Sequence, residues 1–282
     1  QKRLPDLILT GFARDELLLQ AMMTKDEDEI AHIRRMGKIT TDVVGRTADF
    51  LCSHKARNDR LVHADGSPLT IGEVKRKINL WLAEAGAENP EGTIFSIGRD
   101  AALPHSTGKD TDTLRLGQSI VFDIFPCEEG GGYFYDFTRT WCLGYAPDEV
   151  EKLHEDVRSV YRSVVSKLEM DLPFWQAQQL TCELFESMGH PTVLNNPVTE
   201  SGYVHSLGHG LGLHIHEKPF ASLSTHTDTD ILAPGSVFSI EPGLYYPERC
   251  MGVRIEDTWL AKADGTFEML ADYPTDLVLP IK

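Results

Sequence analysis

Apolar and polar residues alternate on both sides of a glycine run in FDIFPCEEGGGYFYDFTRT, residues 122–140. Val121, Asp123 and Phe125 share one face of the first arm, and Phe134, Asp136 and Thr138 one face of the second, as in two antiparallel strands. With the turn centred between Glu129 and Gly130, Asp123 would face Asp136 at a Cβ separation of about 4.5 to 5.5 Å. Like charges so placed repel. The pattern therefore predicts a cation between them, a proton on one of them, or a different register.

Helical periodicity flanks this hairpin. Thr24-Lys-Asp-Glu27 reads as a capping box, and Ile30, Ile33, Met36 and Val43 or Val44 predict a helix from about 25 to 50. Thr70 and Glu73 repeat the box before Val74, Ile78, Leu80 and Leu82, with Gly86 as the stop. A short FSIG strand around 95–98 leads to the hairpin. Beyond Pro147, apolar residues from Val150 to Leu168 recur at helical spacing, and another helix is predicted from about 174 to 188, ended by Gly189.

The text then returns to strands in GSVFSIEPGLYYPERCMGVRIEDTWL, two arms around a turn, so helix, helix, hairpin occurs twice. The outgoing arms align: Gly117 precedes Asp123 by six residues, and Gly235 precedes Glu241 by six. The return arms match as well, Asp136 standing two before Thr138 and Glu256 two before Thr258. An evenly paired second hairpin would set Glu241 opposite Glu256 on one face. A duplicated half-fold thus presents four carboxylates, one at each equivalent position.

Composition narrows the function classes. The 282 residues are 41% hydrophobic and 25% charged, which suits one large domain or two small ones. A formal charge of -16 makes nucleic acid and anionic membrane surfaces poor partners. Five scattered cysteines without a CxxC pair suggest neither a disulfide framework nor a cysteine zinc site, and make a cytoplasmic location the default. No apolar run reaches the ~20 residues of a membrane span. The opening QKRLPDLILTGFARDE lacks an initiator Met, so residues 1–24 are read as a linker or the remnant of an upstream domain.

Between the acidic hairpins lies HSLGHGLGLHIHE, with His205, His209, His214 and His216. An extended GLGLHIH would turn His214 and His216 to one side and Ile215 to the other. A single histidine in such text reads as core. Four within twelve residues, spaced by glycines that permit close backbone approach, point to ligands. Four carboxylates carry about -4, which two divalent cations with a neutral imidazole would balance. An imidazole among oxygens favours Mn²⁺, Fe²⁺, Co²⁺ or Zn²⁺ over Ca²⁺ or Mg²⁺. Paired metals about 3.5 to 4 Å apart would hold a bridging hydroxide and polarise a carbonyl, the chemistry of metal-assisted hydrolysis.

The ordered set Asp123, Asp136 in YDFTRT, His209 in HSLGHGLGL, Glu241 in SIEPGLY and Glu256 in GVRIEDT resembles the pita-bread metallopeptidases. The Xaa-Pro branch of prolidase and aminopeptidase P is the nearest match, over about residues 25–282. The resemblance implies an α+β pita-bread fold, with pseudo-twofold halves around a curved antiparallel sheet. It also implies a dinuclear centre, with Mn²⁺ as the leading metal, and hydrolysis of the bond preceding proline in peptides or dipeptides.

By motif, the five metal ligands would be Asp123, Asp136, His209, Glu241 and Glu256. Asp136 and Glu256 would bridge, and Glu241 would also shuttle a proton. His205 and His216 would contact substrate and steady the tetrahedral intermediate. His105 in ALPHSTG would line the substrate pocket, and Arg254 would pair with a substrate carboxylate or with the metal-site acids. In two-domain members an amino-terminal domain limits substrate length and builds the dimer, so a homodimer is part of the expectation.

The chain departs from the family pattern in the longer segment between Asp123 and Asp136, in Phe125-Pro126, and in Ser206. His214 is additional and is read as a rim group. Glu128 and Glu129 are read as turn solvation and THTDTD, residues 225–230, as a solvated loop. Ser106 lacks a GxSxG elbow. The alternatives are a creatinase-like C–N hydrolase or a non-catalytic binding module on the same fold. Dipeptidase and aminopeptidase are not separated at this level.

Overall fold

Two of the helices start where a side chain satisfies their first free N–H groups. In this computed structural model, which describes residues 16–224 and 227–282, α1 spans Glu16–Met22 and α2 spans Glu27–Cys52. The capping box of α2 is real but sits two residues later than the sequence suggests. Asp26 Oδ1 accepts from the Glu29 N–H at 2.9 Å, and Glu29 Oε2 accepts from the Asp26 N–H at 2.8 Å. Thr24 is drawn off into a bridge with Ser236. The second box is where expected: Thr70 caps α3, Ile71–Glu84, which ends before Gly86 in the left-handed region at φ 74°. Helices α4, Asp148–Val165, and α5, Trp175–Ser187, match the predicted pair. Of the predicted linker, 1–15 lie outside the described residues, and 16–22 form α1.

Two antiparallel-rich sheets carry the hairpins. The first runs in the order Val278–Leu279, Phe137–Leu143, Ser119–Ile124, Thr93–Ile97. The second runs Phe267–Met269, Asp257–Ala261, Val237–Ile240, His209–Gly210, Glu217–Phe220. Helices α2 and α3 share a core with the first sheet through Ile33, Met36, Ile78, Phe122 and Phe137. Helices α4 and α5 share one with the second through Val157, Val160, Phe185, Phe238 and Ile240. Among the described residues no helix is long and apolar enough to cross a membrane.

Register differs between the two hairpins. In the first, Asp123 pairs with Thr138 and Ile124 with Phe137, and a bridge joins Cys127 to Phe134 in the same register. The turn is therefore centred between Gly130 and Gly131, one residue beyond the expected centre, and Asp123 sits diagonal to Asp136 rather than opposite. A two-residue shift keeps both on one face. The reason is the turn itself, where Glu128 is partly buried rather than solvating. Its carboxylate meets His32 Nδ1 at 2.7 Å and accepts from the Tyr133 N–H at 3.2 Å. In the second hairpin Ile240 pairs with Asp257 and Gly243 with Arg254, so Glu241 and Glu256 face each other as expected.

The two return arms cross at the centre. Thr138 and Glu256 form an antiparallel bridge, and the Thr258 hydroxyl donates to the Asp136 carbonyl at 2.8 Å. The Thr140 hydroxyl donates to the Arg254 carbonyl and accepts from its N–H, each at 2.9 Å. One chain of contacts thus welds the half-folds. Arg139 clamps it: its guanidinium donates to the carbonyls of Thr138, Glu256, Tyr273 and Pro274 and to Asp257, all at 2.7 to 3.0 Å.

Replacing Asp26 by Ala should cost about 1 kcal/mol in urea unfolding, whereas the cap reading at Thr24 would place that loss on Thr24→Ala. A larger loss for Thr24→Ala would refute the assignment.

Candidate metal centre

The crossing sets the acidic side chains around one cavity. Asp123 lies near the end of the outgoing arm, Asp136 just before the return arm, Glu241 just after Val237–Ile240, and Glu256 just before Asp257–Ala261. His209 enters from the two-residue strand His209–Gly210, held between Val237–Ile240 and Glu217–Phe220. That strand explains the glycines of HSLGHGLG. A Cβ on Gly208 would lie 2.0 Å from the Ser239 carbonyl oxygen, and one on Gly210 would lie 1.9 Å from that of Lys218. All five residues line a cavity of about 230 Å³, together with His105, His205, His216 and Arg254.

Ligand atoms of Asp136, His209 and Glu256 lie within 4.8 Å of one another. His209 Nε2 is 3.6 Å from Asp136 Oδ2 and 3.4 Å from Glu241 Oε1. Its Nδ1 lies 3.1 Å from the Gly210 carbonyl, which can only accept, so Nδ1 carries a proton and Nε2 faces the acids. The Thr138 hydroxyl donates to Glu256 Oε2 at 2.6 Å and Arg254 Nη2 to Asp123 Oδ2 at 2.5 Å. The opposite oxygens, Asp123 Oδ1 and Glu256 Oε1, are buried without a hydrogen-bond partner.

Burial is the largest influence on every acid here. It pushes Asp136 and Glu256 well above the carboxylate range, and the charges of Asp123 on Asp136 and of Asp136 on Glu256 add to it. Asp123 is raised by burial against the pull of Arg254. At Glu241 burial also pushes upward, but the hydrogen bond and charge of His209 win and bring it to about 2. Burial lowers His209, yet Glu241 and Asp136 raise it to about 9. A largely buried cluster of like charges with two unpaired oxygens and an oriented imidazole fits a divalent-cation site.

The remaining predicted residues gather at the same cavity. Arg254 is buried and meets a metal-site acid, the second of its two expected roles; Nη1 also donates to the Tyr245 hydroxyl at 2.7 Å. Tyr245 was not singled out in the sequence, though it stands four residues after Glu241 in EPGLYY. Its hydroxyl lies 3.0 Å from His205 Nε2, while His205 Nδ1 lies 2.7 Å from the Ser206 carbonyl. Burial lowers His205 to about 4, so Nδ1 is its single N–H and is already bound.

The His216 ring lies tilted against that of His209, with centroids 4.3 Å apart, and His105 sits exposed at the rim. His214 is exposed and outside the cavity lining, apart from the cluster of acids. The extended form expected for GLGLHIH is not found: residues 212–216 form successive bends before the strand resumes at Glu217. A buried ion pair forces this. Glu217 accepts from Lys25 Nζ at 2.7 Å and from the His214 N–H at 2.8 Å, which folds the loop back on itself. The solvated loop at 225–230 is also revised. Residues 225 and 226 lie outside the described residues, and Asp230 is buried, 3.5 Å from Lys218 Nζ.

A profile of metallopeptidase family M24 matches residues 31–263. Probable dipeptidase PepE of Mycobacterium tuberculosis is 29% identical over 250 residues, covering 89% of this chain and 59% of that protein. An Xaa-Pro dipeptidase of Pyrococcus furiosus is 32% identical over 212 residues, covering 73% of this chain and 56% of that one. The chain thus spans somewhat under three fifths of the length of these curated relatives. Among solved structures, an X-Pro aminopeptidase from Thermotoga maritima superposes with a TM-score of 0.76 at 27% identity, over 94% of this chain and 67% of that one. Prolidase from Pyrococcus furiosus gives 0.74 at 26% identity, over 92% and 68%.

A pH prediction follows from the raised acids. Asp136 and Glu256 keep protons in the folded chain above the pH at which unfolded carboxylates lose them. Their contribution to stability is therefore present at low pH and lost as pH rises through the folded values. A cation replaces those protons, so Mn²⁺ should raise the melting temperature of chelator-treated protein more at pH 8 than at pH 5. Equal shifts in calorimetry would contradict it.

Proposed function

The chain belongs to metallopeptidase family M24, and from that membership we propose that it is a two-metal peptidase hydrolysing the bond between a first residue and proline. Residues 25–282 form the catalytic unit in this reading. The observation that carries it is the convergence of buried Asp123, Asp136, His209 and Glu256 with partly buried Glu241 on one cavity. These five residues would hold two divalent cations, with Mn²⁺ first and Co²⁺, Zn²⁺ or Fe²⁺ as alternatives. Such a pair supplies an activated water and polarises the scissile carbonyl.

The chain's own residues do the rest. Glu241 lines the cavity, is partly exposed and is held by the Ser239 hydroxyl at 3.2 Å, so it can take the proton of the attacking water and deliver it to the departing proline nitrogen. His216 stands beside His209 and serves as the donor to the developing oxyanion. His205 spends both ring nitrogens on Ser206 and Tyr245. It therefore meets substrate with its ring and holds Tyr245 against Arg254, which in turn fixes one oxygen of Asp123. His105 at the rim contacts the substrate as it enters.

Protein loaded with Mn²⁺ should hold about two ions per chain and cleave Xaa-Pro peptides. Asp136→Asn and Glu256→Gln should each lower kcat/KM by about 100-fold or more and reduce the bound metal. Elemental analysis showing one ion or none, together with intact Xaa-Pro dipeptides and tripeptides, would refute the proposal.

A further inference from the structure

A second cavity, of about 610 Å³, adjoins the first: His205 and Ser206 line both. Its other walls are mainly apolar, with Trp175, Val193, Leu194, Pro197 and Leu223, and among the described residues no aspartate, glutamate, lysine or arginine lines it. The polar Gln178 is turned to other duties, since its amide donates to the His205 carbonyl at 3.2 Å and accepts from the Tyr203 hydroxyl at 2.8 Å.

We propose that this cavity receives the apolar side chain of the residue that follows proline, and that the chain acts on peptides longer than a dipeptide. The inference rests on the Xaa-Pro reading above. A substrate cut after its first residue has only that residue on the amino side of the scissile bond. Space adjoining the metal cavity is therefore most use to the departing fragment, whose length is open.

Charge points the same way. A dipeptide carries its free carboxylate one residue from the scissile carbonyl, and that group needs a cation in a site already crowded with carboxylates. Among the described residues, Arg254 is the only lysine or arginine lining either cavity. Its guanidinium is committed to Asp123, Tyr245, Thr138 and the Pro104 carbonyl. The remaining side-chain donors lining the metal cavity are imidazoles and the Ser206 hydroxyl. In a longer peptide the same position is a neutral amide, and the next side chain lies against Val193, Leu194 and Trp175.

The test compares Mn²⁺-loaded protein on Ala-Pro, Ala-Pro-Ala, Ala-Pro-Leu and Ala-Pro-Lys, with Leu-Pro-Ala to vary the first residue. Ala-Pro-Leu should exceed both Ala-Pro-Ala and Ala-Pro in kcat/KM by about tenfold or more. Leu194→Asp should reverse the preference to Ala-Pro-Lys while leaving Ala-Pro unchanged. A binding readout is independent of turnover: Pro-Leu, but not proline, should alter tryptophan emission of chelator-treated protein, and Trp175→Phe should abolish the change. Ala-Pro as the best substrate, rates that follow the first residue and ignore the third, or no emission change would overturn the subsite while leaving the Xaa-Pro reading standing. Failure to cut any of the proline peptides would overturn both.

Discussion

Four carboxylates that turn toward one small cavity are the constraint around which the rest of the chain is arranged. An isolated buried carboxylate costs several kcal/mol unless it is neutralised or paired. Here Arg254 pairs with one acid and Thr138 binds another, while one oxygen each of Asp123 and Glu256 has no hydrogen-bond partner. Protons can relieve the repulsion at low pH, and divalent cations can do so at neutral pH. A fold that keeps such a cluster must hold it by force from elsewhere.

That force comes from the crossing of the two return arms. Asp136 and Glu256 occupy equivalent places in the duplicated hairpins, and the threonine two residues after each binds the other arm. The pita-bread fold of family M24 thus uses duplication twice over: it supplies paired acids, and it supplies the reciprocal bonds that keep them facing. On the other side of the crossing, Arg139 gathers four carbonyls and Asp257, and the hydroxyl of Tyr161 reaches the second oxygen of Asp257 at 2.6 Å. The repulsion on one side of the strands is opposed by this dense, fully bonded cation on the other.

Much of this was legible because it is periodic. Alternation around Asp123 and Asp136, helical spacing from Ile30 to Val44, and the repeated Gly-to-acid interval are local patterns, and the elements follow them. What escaped was set by contacts distant in sequence. The turn centre moved by one residue because Glu128 is claimed by His32 and Tyr133. The α2 cap lies at Asp26 because Thr24 is occupied by Ser236. The loop carrying His214 and His216 bends because Lys25 lies beneath it. Tyr245 looked like one more aromatic in a strand, since only Arg254 and His205 together give its hydroxyl a role.

The Lys25–Glu217 pair shows how far the centre's support extends. Both side chains are almost fully buried, so burial lowers the Lys25 ammonium and Glu217 draws it back toward the charged form. Lys25 also donates to the Met22 carbonyl at 2.7 Å, which ties the end of α1 to the same point. Glu217 is one residue from His216 and pairs across the strands with Gly210, next to His209. The entry to α2, the α1 end and both histidine-bearing segments therefore meet at a single ion pair. Because removing either partner would leave a buried charge unpaired, the geometry beside the metal centre is coupled to helices on the far side of the loop, and residues outside the cavity bear on its chemistry.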